Sequence, residues 1–443
     1  MADARPFHWE YHPEQPAPEA FRIEGGRPLQ GTVGVSGAKN AALKLLAAAV
    51  LTGERCRFEN MPEIEDVRVM AEVLADLGVV VDHPAPGVYE VAAGDVDWKF
   101  VPLEAAAKMR ASFILLGPLL SRFGHVIISN PGGDRIGRRP VNLHVDAMRA
   151  LGADIAYRNG YYFAQAPGRL RGGDVTFPFV TVMGTENAIL AACLAEGTTT
   201  IRPAAQEPEV DDLIAFLVKM GAEVERTLPD AITVHGKRRL RGAAHTVMPD
   251  RIETGTFLVA AAVTGGRLTL ENAACQHSGA LVEVLARAGV PVSCGQHAIE
   301  VDASGLRPGD LRAVDIETAP YPLLATDLQP NLCVLLTQAS GTSHVHEAIF
   351  EDRLEWLSEL RKLGADVDIP DPHHASIRGP ARLHGAEASI GDLRAGASLI
   401  LAALAAEGTS LIHGAHHVHR GYENIDRKFQ QLGASIVRSA DPA

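Results

Sequence analysis

The sequence predicts an α/β protein of two domains, each assembled from three copies of one supersecondary unit, and three observations carry that reading. Six times a helical pattern runs into a small-residue turn and then a β-branched strand, with the turn glycine at Gly78, Gly152, Gly221, Gly289, Gly364 and Gly433. The intervals of 74, 69, 68, 75 and 69 residues are too even for chance and mark an internal repeat. Each copy also holds two helices of unlike character, one amphipathic and one apolar all round. Finally, 443 residues that are 47% hydrophobic and 21% charged suffice for two packed domains.

Within a copy the elements follow in a fixed order. The all-apolar helix comes first, as NAALKLLAAAVLTGE, ASFILLGPLLSRFG, NAILAACLAEGT, TGTFLVAAAVTGG, NLCVLLTQASGT and AGASLILAALAAEGT. A helix without a polar face is normally buried. Most of these end at a glycine, a favoured C-terminal cap, and a strand such as TTTIRP, RLTLEN or TSLIHG follows. The second helix precedes the repeat glycine and spaces its apolar residues three and four apart, as in Leu354, Leu357, Leu360 and Leu363, with charges between. That helix covers the outside. Further strands complete a β-α-β-α-β-β unit.

Composition excludes several classes. No uninterrupted apolar run reaches the roughly 18 residues of a membrane span. The opening MADARPFHWEYHPEQPAPEA lacks the basic and apolar regions of a secretory signal, so residues 1–21 read as a flexible extension. A net charge of −13 argues against nucleic acid as a partner. Cys56, Cys193, Cys275, Cys294 and Cys333 are odd in number and lack metal spacing, which fits a reducing cytoplasm. His413, His416, His417 and His419 have no accompanying thiol or carboxylate set, so no metal is expected.

Polar residues recur where all six apolar helices begin: Lys39 and Asn40, Arg110, Glu186 and Asn187, Arg251 and Glu253, Asp327, and Asp392 with Arg394. Helix starts expose unpaired N–H groups and positive dipole ends. If three such starts emerge together in each domain, the two faces form a cleft for phosphate or carboxylate.

The motifs SGAKNAAL (36–43), MRAS (109–112), PGGDRIGRRPVNLH (131–144), GTEN (184–187), EPEV (207–210), PDRIETGTF (249–257), TDLQ (326–329), FEDR (350–353), DLRA (392–395) and RGYENI (420–425) occur in that order. The chain thereby resembles the UDP-N-acetylglucosamine 1-carboxyvinyltransferase family of enolpyruvyltransferases, over residues 22–438. The resemblance implies two inside-out α/β domains: residues 40–247, which carry the PGG loop, and residues 22–39 with 248–443. It implies transfer of the enolpyruvyl group of phosphoenolpyruvate to the 3′-hydroxyl of UDP-N-acetylglucosamine, the first committed step of peptidoglycan synthesis, without a cofactor. Phosphoenolpyruvate would be held by Lys39, Arg139, Arg394 and Arg420. Asp327 would accept the sugar proton, and Lys39 and Asp134 would complete the catalytic set. Asn40, Arg110, Arg139, Pro140, Val141, Asn142, Leu143, Asp327 and Ile349 would take the nucleotide sugar. Arg353 is placed either in the cleft or in a structural ion pair.

Departures from the family pattern are part of the reading. Asp134 stands where most members carry cysteine, so no thiolate is offered to the epoxide fosfomycin, and the protein is expected to be insensitive to it. Arg135 and Arg138 make that loop more positive. Lys44 replaces a usual proline, Asn142 a usual aspartate and Gln206 a usual arginine. A buried lysine must snorkel or find a partner, so Lys44 either reaches the cleft or marks an exposed turn. Two alternatives stay open: a paralogue acting on another uridine nucleotide, and an inactive regulatory binder of a UDP-sugar.

Overall fold

The computed structural model describes residues 19–94, 96, 99–134 and 136–440. Six core helices run through it: α1 (Lys39–Ala49), α2 (Leu116–Phe123, continuing a 3-10 turn over Arg110–Leu115), α3 (Val182–Ala192), α4 (Arg251–Thr264), α5 (Gln329–Thr337) and α6 (Leu393–Ala405). Their apolar sequences are buried on every side. All but one residue of α1 is buried, and every residue of α5 is. In the C-terminal half α4, α5 and α6 pack on one another in all three pairings.

The amphipathic helices lie outside, at Glu65–Asp76, Asn142–Ala150, Pro208–Lys219, Gly279–Ala288, Leu357–Lys362 and Ile425–Gln431. Each runs into its repeat glycine, and all six of those glycines are left-handed, with φ of 92, 88, 94, 94, 98 and 94°. That conformation caps the helix and costs a residue with Cβ about 1–2 kcal/mol. The glycine period is thus a period of helix stops.

Six small sheets surround the helices, and all share one order. In the second copy Phe100–Val101 pairs in parallel with His125–Ser129, which pairs antiparallel with Tyr161–Gln165, which pairs antiparallel with Asp154–Arg158. Parallel neighbours need a crossover, and here the core helix supplies it. Strand burial alternates, as in Thr198–Arg202, so one face of each sheet covers the helices. This is the inside-out α/β arrangement of β-α-β-α-β-β units that the repeats predict.

Three of the sheets are completed by distant segments, one of them by Gln30–Gly34, which pairs in parallel with Arg267–Glu271. Ala244–Thr246 pairs with Arg57–Glu59 and closes the first ring of three copies. Glu19–Glu24 sits between Thr409–His413 and Ser435–Ala440 in the last sheet. Residues 19–21, assigned from sequence to the extension, are therefore strand, while residues 1–18 lie outside the described residues. One hydrophobic core gathers apolar residues from Ala38 to Met248, and the other takes Phe21 to Val35 together with Ile252 to Ile436. Lys39 opens α1, whose apolar residues belong to the first core.

Cys56, Cys193 and Cys333 are buried free thiols. Cys275 and Cys294 form a disulfide, with Cα atoms 5.7 Å apart. The sequence reading did not anticipate that pair, because the two lie 19 residues apart on either side of a surface helix. No described helix is long and apolar enough to cross a membrane.

Candidate active site

Residues from all six core-helix starts meet between the two cores. Asp250 ties them: its carboxylate caps α4 through Ile252 N at 2.7 Å and Glu253 N at 3.1 Å, and accepts from the Lys39 backbone N–H of α1 at 3.2 Å. Asp392 caps α6 in the same way through Arg394 N and Ala395 N. Lys39, Asn40, Arg110, Asp327 and Arg394 consequently line one cavity of about 140 Å³, together with Asp134, Arg139, Arg353 and Arg420. Not every helix-start residue faces it. Asn187 is locked inside the first core by Gly117 N and Phe113 O, and Glu253 turns to Ser36 N and Lys428.

Charges in the cavity are paired across the two halves. Asp327 lies on a 3-10 turn before α5, and its two oxygens meet Arg353 at 3.0 Å and Arg394 at 3.2 Å. Burial acts to raise its pKa, but Arg394 and Arg353 outweigh burial and hold it well below the usual carboxylate range. Asp327 is an ionised, poorly basic carboxylate in this arrangement. Arg353 is buried, and its ion pair sits inside the cleft. Among the described residues, Arg394 Nη1 and Arg353 Nε are buried donors without a hydrogen-bond partner, on two arginines that line the cavity.

Lys39 Nζ is 2.7 Å from Asp66, and Arg420 Nε is 3.1 Å from the same carboxylate. Burial first, then repulsion from Arg394 and Arg420, lowers the Lys39 pKa against the attraction of Asp66. Lys39 therefore releases a proton more readily than a free lysine. Asp66 is also depressed: burial opposes ionisation, but Lys39 and Arg420 favour it more. Sequence reasoning missed Asp66. It lies in the first turn of Glu65–Asp76, a surface helix, away from the buried-helix starts at which the polar residues recur. Comparing repeats holds the missing signal, since Glu209 occupies the first turn of Pro208–Lys219 and reaches the cleft too.

The PGG loop is folded down onto the opposite half. The Asp134 carboxylate pairs with Arg420, its carbonyl accepts from Arg139 at 2.6 Å, and Arg138 N donates to Glu351 at 3.1 Å. Arg135 lies outside the described residues. Burial, the largest influence, and Arg139 lower the Arg110 pKa to about 10. The histidine stretch forms a short helix, His416–His419, that ends at Arg420. No group of three or more potential metal ligands occurs among the described residues.

A second cavity of about 310 Å³ adjoins the first and shares Asn40, Lys44, Ile136, Arg139, Met183 and Asp327 with it. Its far wall carries Ile349, Tyr321, Glu207, Glu209 and Arg251, the last two joined at 3.0 Å. Lys44 is buried and reaches this cleft, with Glu186 at 3.6 Å. Pro140, Val141, Asn142 and Leu143 line neither cavity. They form the start of Asn142–Ala150, with Pro140 and Asn142 exposed.

The family profile of EPSP synthase (3-phosphoshikimate 1-carboxyvinyltransferase) matches residues 23–429. The chain belongs to the EPSP synthase family. Among curated members it is 44% identical over 420 residues to a UDP-N-acetylglucosamine 1-carboxyvinyltransferase of Shewanella denitrificans, covering 95% of this chain and 99% of the relative. It is 43% identical, at the same coverage, to one of Acinetobacter baylyi. The crystal structure of the enolpyruvyl transferase NikO from Streptomyces tendae superposes with a TM-score of 0.87 at 26% identity, covering 96% of this chain and all of that one. An EPSP synthase of Acinetobacter baumannii shares the fold, with a TM-score of 0.75 at 19% identity over 95% of this chain and all of that one.

Proposed function

We propose that the protein transfers the enolpyruvyl group of phosphoenolpyruvate to the 3′-hydroxyl of UDP-N-acetylglucosamine and releases phosphate. The supporting observation is the meeting of Lys39, Arg139, Arg394 and Arg420 with Asp327 and Asp134 in one cleft between two cores. The similarity to UDP-N-acetylglucosamine 1-carboxyvinyltransferases at 44% identity supports the acceptor.

Phosphoenolpyruvate presents a carboxylate and a phosphate, and of the cations lining the smaller cavity Arg139, Arg394, Arg420 and Lys39 are the forks and the ammonium for them. Asp327 takes the proton of the sugar hydroxyl as its oxygen attacks C2, while a proton is delivered to C3. In the tetrahedral intermediate the C3 proton is then removed and the C2–O bond to phosphate breaks. Arg394 controls the first step. Once it engages the substrate carboxylate it loosens from Asp327, whose basicity rises.

Two groups compete to protonate C3. Lys39 has a lowered pKa, and Asp134 lines the same cavity, paired with Arg420. An anionic substrate drawn to Arg420 displaces the Asp134 carboxylate, which then becomes free to carry a proton. The nucleotide occupies the larger cavity, with Asn40, Arg139 and Ile349 at the sugar end and Pro140, Val141, Asn142 and Leu143 as an outer rest for uridine. The substrates place the enzyme in the cytoplasm at the first committed step of peptidoglycan synthesis.

The test is phosphate release from phosphoenolpyruvate with UDP-N-acetylglucosamine, UMP or shikimate 3-phosphate as acceptor. Release with the first alone is expected. Release with UMP alone would overturn the acceptor, and none with any would overturn the reaction.

A further inference from the structure

Lys44 occupies the middle of α1, surrounded by alanine and leucine, and is only 4% exposed. Its one ion-pair partner among the described residues is Glu186, at 3.6 Å, beyond ordinary hydrogen-bond length. Glu186 is fully buried on α3, and neither of its carboxylate oxygens has a hydrogen-bond partner among the described residues. A buried ion pair offsets its desolvation only with close geometry and further hydrogen bonds. This pair has neither, so structural stabilisation does not account for it. The Lys44 ammonium is instead held, underused, at the wall where the two cavities join, with the Glu186 carboxylate buried behind it.

The cations of the smaller cavity already match the charge of phosphoenolpyruvate. Lys44 lines both cavities, as does Met183 at the start of α3, and so also faces the larger one. An ammonium is a compact point charge suited to phosphate oxygen, and a nucleotide sugar is anionic only along its diphosphate. We propose that Lys44 binds a diphosphate oxygen of the acceptor, with Glu186 as the counter-charge that holds the ammonium in place until the acceptor arrives. This rests on the reading of the acceptor as a nucleotide sugar. Lys44 thereby becomes an affinity determinant in this chain, where the family more often has proline.

Protonation supports the pairing. Burial, opposed by Lys44 and reinforced by the neighbouring acids Glu209 and Glu207, pushes the Glu186 pKa up to about 7. As pH falls through that value the carboxylate releases Lys44 to the diphosphate. Acceptor affinity should therefore rise from pH 8 to pH 6 in the native protein and stay flat in Lys44→Met.

The experiment is calorimetric binding of UDP-N-acetylglucosamine, UDP and uridine to the full chain at pH 7.5, beside KM for phosphoenolpyruvate in turnover. Lys44→Met should weaken UDP-N-acetylglucosamine and UDP by roughly ten- to a hundredfold, the effect of losing one charged contact, and leave uridine and the phosphoenolpyruvate KM within about twofold. Because Lys44→Met strands a buried carboxylate, the pair Lys44→Met with Glu186→Gln removes both charges and should give the same ligand pattern in a stably folded protein. Unchanged UDP affinity in both variants would overturn the proposal, as would an equal loss for uridine or phosphoenolpyruvate. Native protein that binds no uridine nucleotide would overturn the acceptor reading itself, an outcome visible before any variant is made.

Discussion

The two ends of the cleft are built on opposite plans. At the smaller end Lys39, Arg394, Arg420 and Arg353 share the carboxylates Asp66 and Asp327 at 2.7 to 3.2 Å, so cations outnumber the acids that hold them. At the larger end Glu207 and Glu209 line the wall with Arg251 and Lys44, Glu186 lies buried behind Lys44, and burial raises the pKa of Glu186 and Glu207. Cation excess, preorganised by shared acids, suits a small dianionic or trianionic substrate whose charge develops during reaction. A roomier end with underused acids and one displaceable lysine suits recognition of a larger acceptor. Chemistry and specificity are separated along one groove.

Breaking the smaller end should have the largest effect. Arg394→Ala removes a guanidinium with a free buried donor and releases Asp327; turnover measured by phosphate release should fall about a thousandfold. A loss confined to acceptor KM would merge the two ends into one. Asp66→Asn is expected next, at roughly tenfold or more in kcat/KM for phosphoenolpyruvate, with acceptor affinity unchanged, because Asp66 acts by positioning Lys39 and Arg420. Equal changes for both substrates would mean that it merely supports the fold.

Asp134 sharpens the comparison from the loop side. The native protein should keep full activity after prolonged exposure to fosfomycin, whereas Asp134→Cys should lose activity in a time-dependent way, with covalent addition visible by mass spectrometry. Inactivation of the native protein would show that another nucleophile lies in the smaller cavity. The smallest effect is on acid stability. Asp66 and Asp327 have depressed native pKa values, so their contribution is complete above the unfolded value of about 3.9 and lost as pH falls through the native values. Acid unfolding of Asp66→Asn should accordingly be shallower below pH 4; an unchanged profile would place the stabilising charges elsewhere.

Much of this was legible in sequence because a periodic pattern is a physical constraint. The repeat glycines are left-handed helix stops, and the all-apolar segments are the buried helices whose starts meet at the cleft. Motif resemblance named Lys39, Asn40, Arg110, Arg139, Asp327, Arg394 and Arg420, and the fold brings all seven to one cavity. Asp66 was invisible because an acid in the first turn of an amphipathic helix reads as ordinary dipole chemistry. Its function depends on Lys39 and Arg420, from the start of one core and the end of the other. Lys44 was conspicuous as a charge in an apolar helix, but its partner on α3 could not be read from local pattern. Glu253 and Asn187 show the converse, helix-start residues consumed by structural bonds.

On the proposed function the cleft adds an acceptor hydroxyl across the double bond of phosphoenolpyruvate and then eliminates phosphate. Mass spectrometry of the acceptor after turnover in deuterated water tests it most directly. UDP-N-acetylglucosamine should gain one enolpyruvyl unit, with deuterium in its methylene group from reversible protonation of C3. An acceptor of unchanged mass, or an enolpyruvyl product with no deuterium, would contradict the account.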